Sequence, residues 1–337
     1  MRISWVDNLR WIWIILIVLW HCFFPDNSLF IKFLFTFHVW LFFFLSWFLF
    51  NSEKHNNLVL FIKNKFYRLI IPFFIFNLIM FSFYKTKELM WWEVFFVDID
   101  SFFKWIFYGS YLPNHSEFIL TNIPTWFLVS LFVVSIYYFL LNKFIKNRNY
   151  RVIILFLISI LVYFESKNIV FRLPFSMEIS LMAMLFYGLG HSFKKEISVF
   201  VEKINYNYIL LVPLFVLFNI YFPSSTNFST NFYWDNYLFF LLNWFSWIFF
   251  VIIISKLIKQ NFILDFLWKN SILILGLEWI KFIVLSFVIY LSFWYLEFEK
   301  SYLIWFIQLI STILVLTPII FVINKFLLLP LNKIKKD

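Results

Sequence analysis

Charge is scarce in this chain: 14% of its 337 residues are Asp, Glu, Lys or Arg, about half the share that a soluble domain carries. With 63% of residues hydrophobic and 26% aromatic, a water-soluble fold is excluded. Cysteine is almost absent too. Cys22 stands alone, so no disulfide within the chain is possible, and its place inside an apolar run reads as packing. Glycine is the third shortage, 4 residues against 17 tryptophans. That balance is unusual, because membrane helices rely on small residues where they approach one another.

Long apolar runs are what the chain has in excess. A transmembrane helix needs ~20 mostly apolar residues. Cutting at charged and Pro/Asn/Ser-rich breaks leaves ten runs, near 9–25, 29–50, 69–84, 123–141, 152–165, 176–192, 207–223, 237–255, 271–295 and 302–323. The fifth and sixth are short. Runs that are apolar at every position, such as Trp11 to Trp20, exclude the alternating strands of a membrane β-barrel. The expected fold is all-α: one polytopic domain over residues 1–337 with about ten transmembrane helices.

The net charge of +10 is then a topology signal rather than a nucleic-acid footprint. Of the 28 Lys and Arg, 20 fall in alternate loops and ends, which places both termini in the cytoplasm. The opening run lacks a small-residue cleavage site and reads as a retained first helix. On this topology the longest stretch between runs, Lys85 to Asn122, is external. Its acids stand beside Trp91, Trp92 and Trp105, which suits a segment that lies on the membrane surface or caps a site.

Ionisable groups at membrane depth are costly and tend to mark function. Arg10 and His21 are eleven residues apart, close to three helical turns, so both fall on one face of the first helix ~16 Å apart. Arg10 reads as part of a site or as an interfacial anchor, and His21 as a titratable base or a hydrogen-bonded core histidine. His38 in the second run has the same two readings. Lys63, Lys65 and Arg68 precede Leu69-Ile70-Ile71-Pro72, and such a cluster either binds phosphate or anchors the loop by charge. Glu278 and Lys281, three apart, can pair on one face as a structural ion pair or as part of a polar cavity.

Taken together, these residues resemble the acyltransferase-3 family of integral membrane acyltransferases. The likeness is carried by Trp5-Val6-Asp7-Asn8-Leu9-Arg10 with His21 after ten further residues, and by Phe37-His38 followed by a Phe-rich run and Ser46. It continues through Arg68 to Pro72, Pro124-Thr125-Trp126-Phe127-Leu128, Met184 to Gly190 and Lys269-Asn270-Ser271. Nearly the whole chain is covered. The resemblance implies acyl transfer in the cell (inner or plasma) membrane, with acetyl-CoA as donor. The acceptor it implies is a hydroxyl of a surface carbohydrate or its lipid-linked precursor. It implies His21 as catalytic base with Arg10 beside the donor. Lys63, Lys65, Arg68 and Arg10 would hold the CoA phosphates, and His38 and Glu278 would bind substrate. Neither a metal nor nucleic acid is implied. The alternative class is a transporter or flippase of a polar lipid or acyl donor, which would use the same charges as a pathway.

Two departures from the family stand out. Trp11, Trp20, Trp47 and Trp268 occupy positions where the resemblance implies Gly; either those codons specify Gly in the source organism, as where UGA is reassigned, which is the expectation here, or the chain is a genuine bulky variant of the family. Glu278 stands near a position where the family often has His.

Overall fold

The computed structural model describes residues 3–22, 38–48, 57–91, 99–109, 122–168, 173–222, 231, 233, 236–280 and 302–325. Every regular element among the described residues is helical. In chain order the α-helices are α1 (Ser4–Trp20), α2 (His38–Phe48), α3 (Leu58–Lys65), α4 (Ile71–Trp91), α5 (Ile99–Tyr108), α6 (Trp126–Phe144) and α7 (Arg148–Asn168). They continue as α8 (Met177–Ser192), α9 (Lys194–Lys203), α10 (Val212–Tyr221), α11 (Tyr237–Leu257), α12 (Phe262–Lys269), α13 (Ser271–Leu277) and α14 (Tyr302–Ile323).

Asparagine starts several of them. The side chains of Asn57, Asn236 and Asn261 accept from backbone N–H groups of the first turns of α3, α11 and α12, and Asn147 does so for α7. Each satisfies donors that a helix start leaves without an internal partner.

Among the described residues, five helical stretches are long and apolar enough to cross a membrane: Leu58–Thr86, Ile123–Phe144, Arg148–Lys167, Tyr237–Leu257 and Phe306–Ile323. A sixth candidate, Lys194–Lys203 with Tyr206–Asn219, is bent by 105°. The chain is a multi-pass helical membrane protein. The first run is helix α1 of 17 residues and the sixth is α8 of 16. The second and ninth runs lie partly outside the described residues.

One run is longer than its composition implies. The stretch expected at 152–165 is a helix of 21 residues, Arg148–Asn168, because the charged residues used as breaks sit inside its ends, where long basic side chains can reach water. The stretch from Lys85 to Asn122 likewise contains structure. Helix α4 runs on to Trp91, and α5 turns Trp105 inward while Ile99, Phe103 and Phe107 stay exposed.

Helix α1 is held among α2, α11, α12, α13 and α14. Trp5, Leu9, Trp13, Ile14 and Ile17 bury one side of it. Asn8 Nδ2 donates to the carbonyls of Ser255 and Ile258, both at 2.8 Å, which fastens α1 to the end of α11. Helix α8 packs against α2, α6 and α7.

Candidate active site

The site has two ends, both set by α1. At the first, Arg10 faces a cavity of about 540 Å³ together with Lys65, Arg68 and Lys269. Ser46, Asn270, Ser271 and Asn324 add neutral polar groups to its wall, and Phe42, Leu45, Phe61, Phe76 and Trp268 supply apolar surface. That volume lies within the range of small-molecule sites.

Local structure explains how these cations meet. Arg68 sits in a π-helical turn, Phe66–Ile70, between α3 and α4. Pro72 follows it and has no N–H to give to the carbonyl of Arg68, so the regular ladder is interrupted there and the turn widens. Lys65, Arg68, Leu69 and Pro72 all reach the cavity as a result. Asn324 Nδ2 donates to Asn270 Oδ1 at 2.8 Å and joins α14 to the start of α13. Arg10 is 3.6 Å from Asp7 Oδ1, one helical turn back, and its guanidinium lies 5.5 Å from the Trp268 ring centroid. An ion pair and an aromatic face orient the cation without covering it.

At the other end, His21 closes α1. Its backbone N–H donates to the carbonyl of Ile17 at 3.2 Å. Its Nδ1 lies 2.7 Å from Glu278 Oε1 and 3.0 Å from the carbonyl of Ile17. Both neighbours of Nδ1 are acceptors, so that nitrogen carries the hydrogen and donates. Nε2 is left with its lone pair in the neutral ring. Glu278 is 2% exposed, whereas His21 keeps a side-chain exposure of 19%. The arrangement is a base with one nitrogen fixed by a carboxylate and the other able to take a proton.

A buried polar network reaches α13 just before Glu278. Trp105 Nε1 donates to Asn77 Oδ1 (2.9 Å), Asn77 Nδ2 to Thr125 Oγ1 (2.8 Å), and Asn122 Nδ2 to the carbonyl of Gly276 (2.7 Å). Trp105 and Asn122, from the stretch between Lys85 and Asn122, are therefore tied to α4, to the start of α6 and to the residues just before Glu278.

The structure brings Arg10, Lys65 and Arg68 to one cavity and joins His21 to Glu278. It leaves Lys63 exposed and outside the cavity wall. The His38 side chain and the whole of Lys281 lie outside the described residues, and so does the expected Glu278–Lys281 pair. Lys269, Asn324 and Asn122 were missed from sequence. Lys269 alone had a signal, the Lys-Asn-Ser segment. Of the four tryptophans expected to be Gly, Trp11 donates to Asn8 Oδ1 and Trp268 to Asp265 Oδ1, while Trp47, with no exposed surface, has no partner for Nε1.

A family model for an acyltransferase domain, the acyltransferase-3 domain, matches residues 3–325. The chain belongs to this family. Neither a curated protein nor a solved structure matches it. Membership makes the chain a membrane acyltransferase. Within the acyltransferase-3 chain, one 17-residue helix serves both the cation-lined cavity, through Arg10 in its second turn, and the His21–Glu278 dyad at its C-terminal end.

Proposed function

We propose that this acyltransferase moves an acetyl group from acetyl-CoA to a hydroxyl of a surface carbohydrate or its lipid-linked precursor. The observation that carries the proposal is the imidazole fixed at Nδ1 by Glu278, three turns along α1 from a cavity lined by four cations. A sugar hydroxyl is a weak nucleophile near neutral pH. His21 Nε2 takes its proton as the oxygen attacks the thioester carbonyl. The new C–O bond forms, the C–S bond breaks, and the proton passes from the imidazolium to the departing thiolate. Glu278 stabilises the imidazolium between the two steps and keeps the ring turned so that Nε2 faces the acceptor.

Arg10, Lys65, Arg68 and Lys269 offer charge-assisted hydrogen bonds to the donor's phosphates. From Arg10 to His21 the helix spans ~16 Å, a gap suited to the long flexible arm that separates the phosphates of an acyl-CoA from its thioester. Ten spans with both termini cytoplasmic, in the cell membrane, put the cavity on the cytoplasmic side and His21 toward the outside, which follows from the partition of basic residues.

The test is transfer of labelled acetyl from acetyl-CoA to surface glycan in cells holding matched amounts of wild type and His21→Ala. Turnover is expected to fall ~10² to 10⁴-fold, with donor binding retained. Undiminished transfer in His21→Ala would remove it from the role of base.

A further inference from the structure

Helix α2 borders two cavities. Phe42, Leu45 and Ser46 face the one that holds Arg10, while Phe44 faces a second, of about 600 Å³. The second is lined by Val152 and Phe156 of α7, Leu189 of α8, Phe200 of α9, and Ile248 and Phe249 of α11. Among its described lining residues Glu196 alone is not hydrophobic.

Its shape follows from the courses of α7 and α11. Past the cavity the two helices meet: the hydroxyls of Ser159 and Tyr237 hydrogen-bond, and the rings of Tyr163 and Tyr237 stand 5.2 Å apart. Toward Arg148 at the start of α7 and Lys256 in the last turn of α11, the cavity separates them. Val152 and Ser159 are ~10 Å apart along α7, so the space is a pocket stopped at one end and not a groove along the whole span. At its basic end Arg148 pairs with Glu196, and the guanidinium lies 5.0 Å from the centroid of the Phe193 ring, which also lines the pocket. The Arg148 side chain keeps 46% of its surface exposed. Lys195 is exposed beside Glu196.

These features select the occupant. A sugar or a nucleotide would leave its polar groups unpaired against such walls. A membrane-spanning helix of another protein, ~30 Å long and ~10 Å across, needs several times the volume. The walls belong to two membrane spans, and Ile153 and Leu157 of α7 and Phe249 of α11 are exposed next to them, so the medium beside the pocket is the bilayer itself. An acyl chain from that bilayer needs no hydrogen bonds, and the cation at the basic end complements a lipid phosphate.

We infer that this pocket binds one phospholipid, with an acyl chain between α7, α8 and α11 and its phosphate on Arg148. Glu196 holds the guanidinium at the mouth. Neither Arg10 nor His21 lines the pocket, so the lipid is a resident of the fold and not a reactant, and α2 is the wall that it shares with the donor cavity.

The experiment uses the full chain in vesicles of phosphatidylethanolamine and phosphatidylglycerol. The probe is phosphatidylethanolamine with a photoreactive diazirine on one acyl chain, compared with a diacylglycerol that carries the same chain, and labelled residues are located by peptide mass spectrometry. Label on Phe156, Leu189 and Ile248 should saturate as probe is added, while label on Leu157 and Leu161, exposed on α7, should rise in proportion to it. Val152→Trp, which fills the pocket from a half-buried position, should abolish the saturable label and leave that on Leu161, a sign that the variant is inserted. Arg148→Gln should reduce it about fivefold at low probe, the contribution of one cation near a lipid headgroup, and the diacylglycerol should label wild type correspondingly less. Pocket label that never saturates, or that follows Leu161 in every variant, would reduce the pocket to ordinary bilayer contact and overturn the inference. Equal labelling by the diacylglycerol, unchanged in Arg148→Gln, would overturn the phosphate site. No pocket label at all, with Leu161 labelled as usual, would overturn the inference and leave the pocket to another polypeptide.

Discussion

At the scale of single residues, spacing made part of the site legible and distance in sequence hid the rest. Arg10 and His21 share one helix, so a period of 3.6 residues places them on one face before any fold is known. Glu278 was visible as a charge that could pair with Lys281 and as a residue for substrate, but its contact with His21 was not, because that contact joins distant parts of the chain and no local pattern encodes it. Asn122 carried no signal at all: an asparagine before Ile123-Pro124 reads as an ordinary turn. Arg10 yields a direct test. Charge-assisted hydrogen bonds contribute about 1.5–3 kcal/mol each, so Arg10→Gln should weaken acetyl-CoA binding roughly 10- to 100-fold. Equilibrium binding to the purified protein checks this, and unchanged affinity at normal protein levels would return Arg10 to the role of anchor.

At the scale of elements, α2 and α8 meet at one intimate contact. A Cβ placed on Gly190 would lie 1.7 Å from Trp47 Nε1, so the indole at position 47 needs glycine at position 190. Overpacking of this kind costs about 1–3 kcal/mol or more. We predict that Gly190→Ala lowers the melting temperature of the Trp47 protein and is tolerated in Trp47→Gly, where the small residue leaves room. Equal effects in both backgrounds would show that the two positions do not share the contact. The same pair bears on the codon at position 47, whose sequencing distinguishes a true Trp from a reassigned Gly. Helix boundaries were the least legible feature at this scale. Arg148 and Lys167 looked like ends, yet the helix includes them, since charged side chains can extend from within a helix end to the membrane surface.

At the scale of the whole molecule, composition alone was sufficient for the class. Scarce charge and continuous apolar runs exclude every fold except a helical bundle in a membrane. What composition could not supply was the division of labour along α1, because that depends on which helices surround it: the cavity needs α3, α12, α13 and α14 with their connecting turns, and the dyad needs the residue that follows α13. The central claim is that one bundle receives the acyl donor at the basic end and deprotonates the acceptor at the other. Vesicles carrying the full chain in one orientation, with labelled acetyl-CoA enclosed on the side of the Arg10 cavity and a glycan acceptor confined to the opposite side, measure this directly. The account predicts that label appears on the glycan across the membrane and is lost in His21→Ala. Label that reaches glycan only when donor and acceptor share a compartment would contradict it.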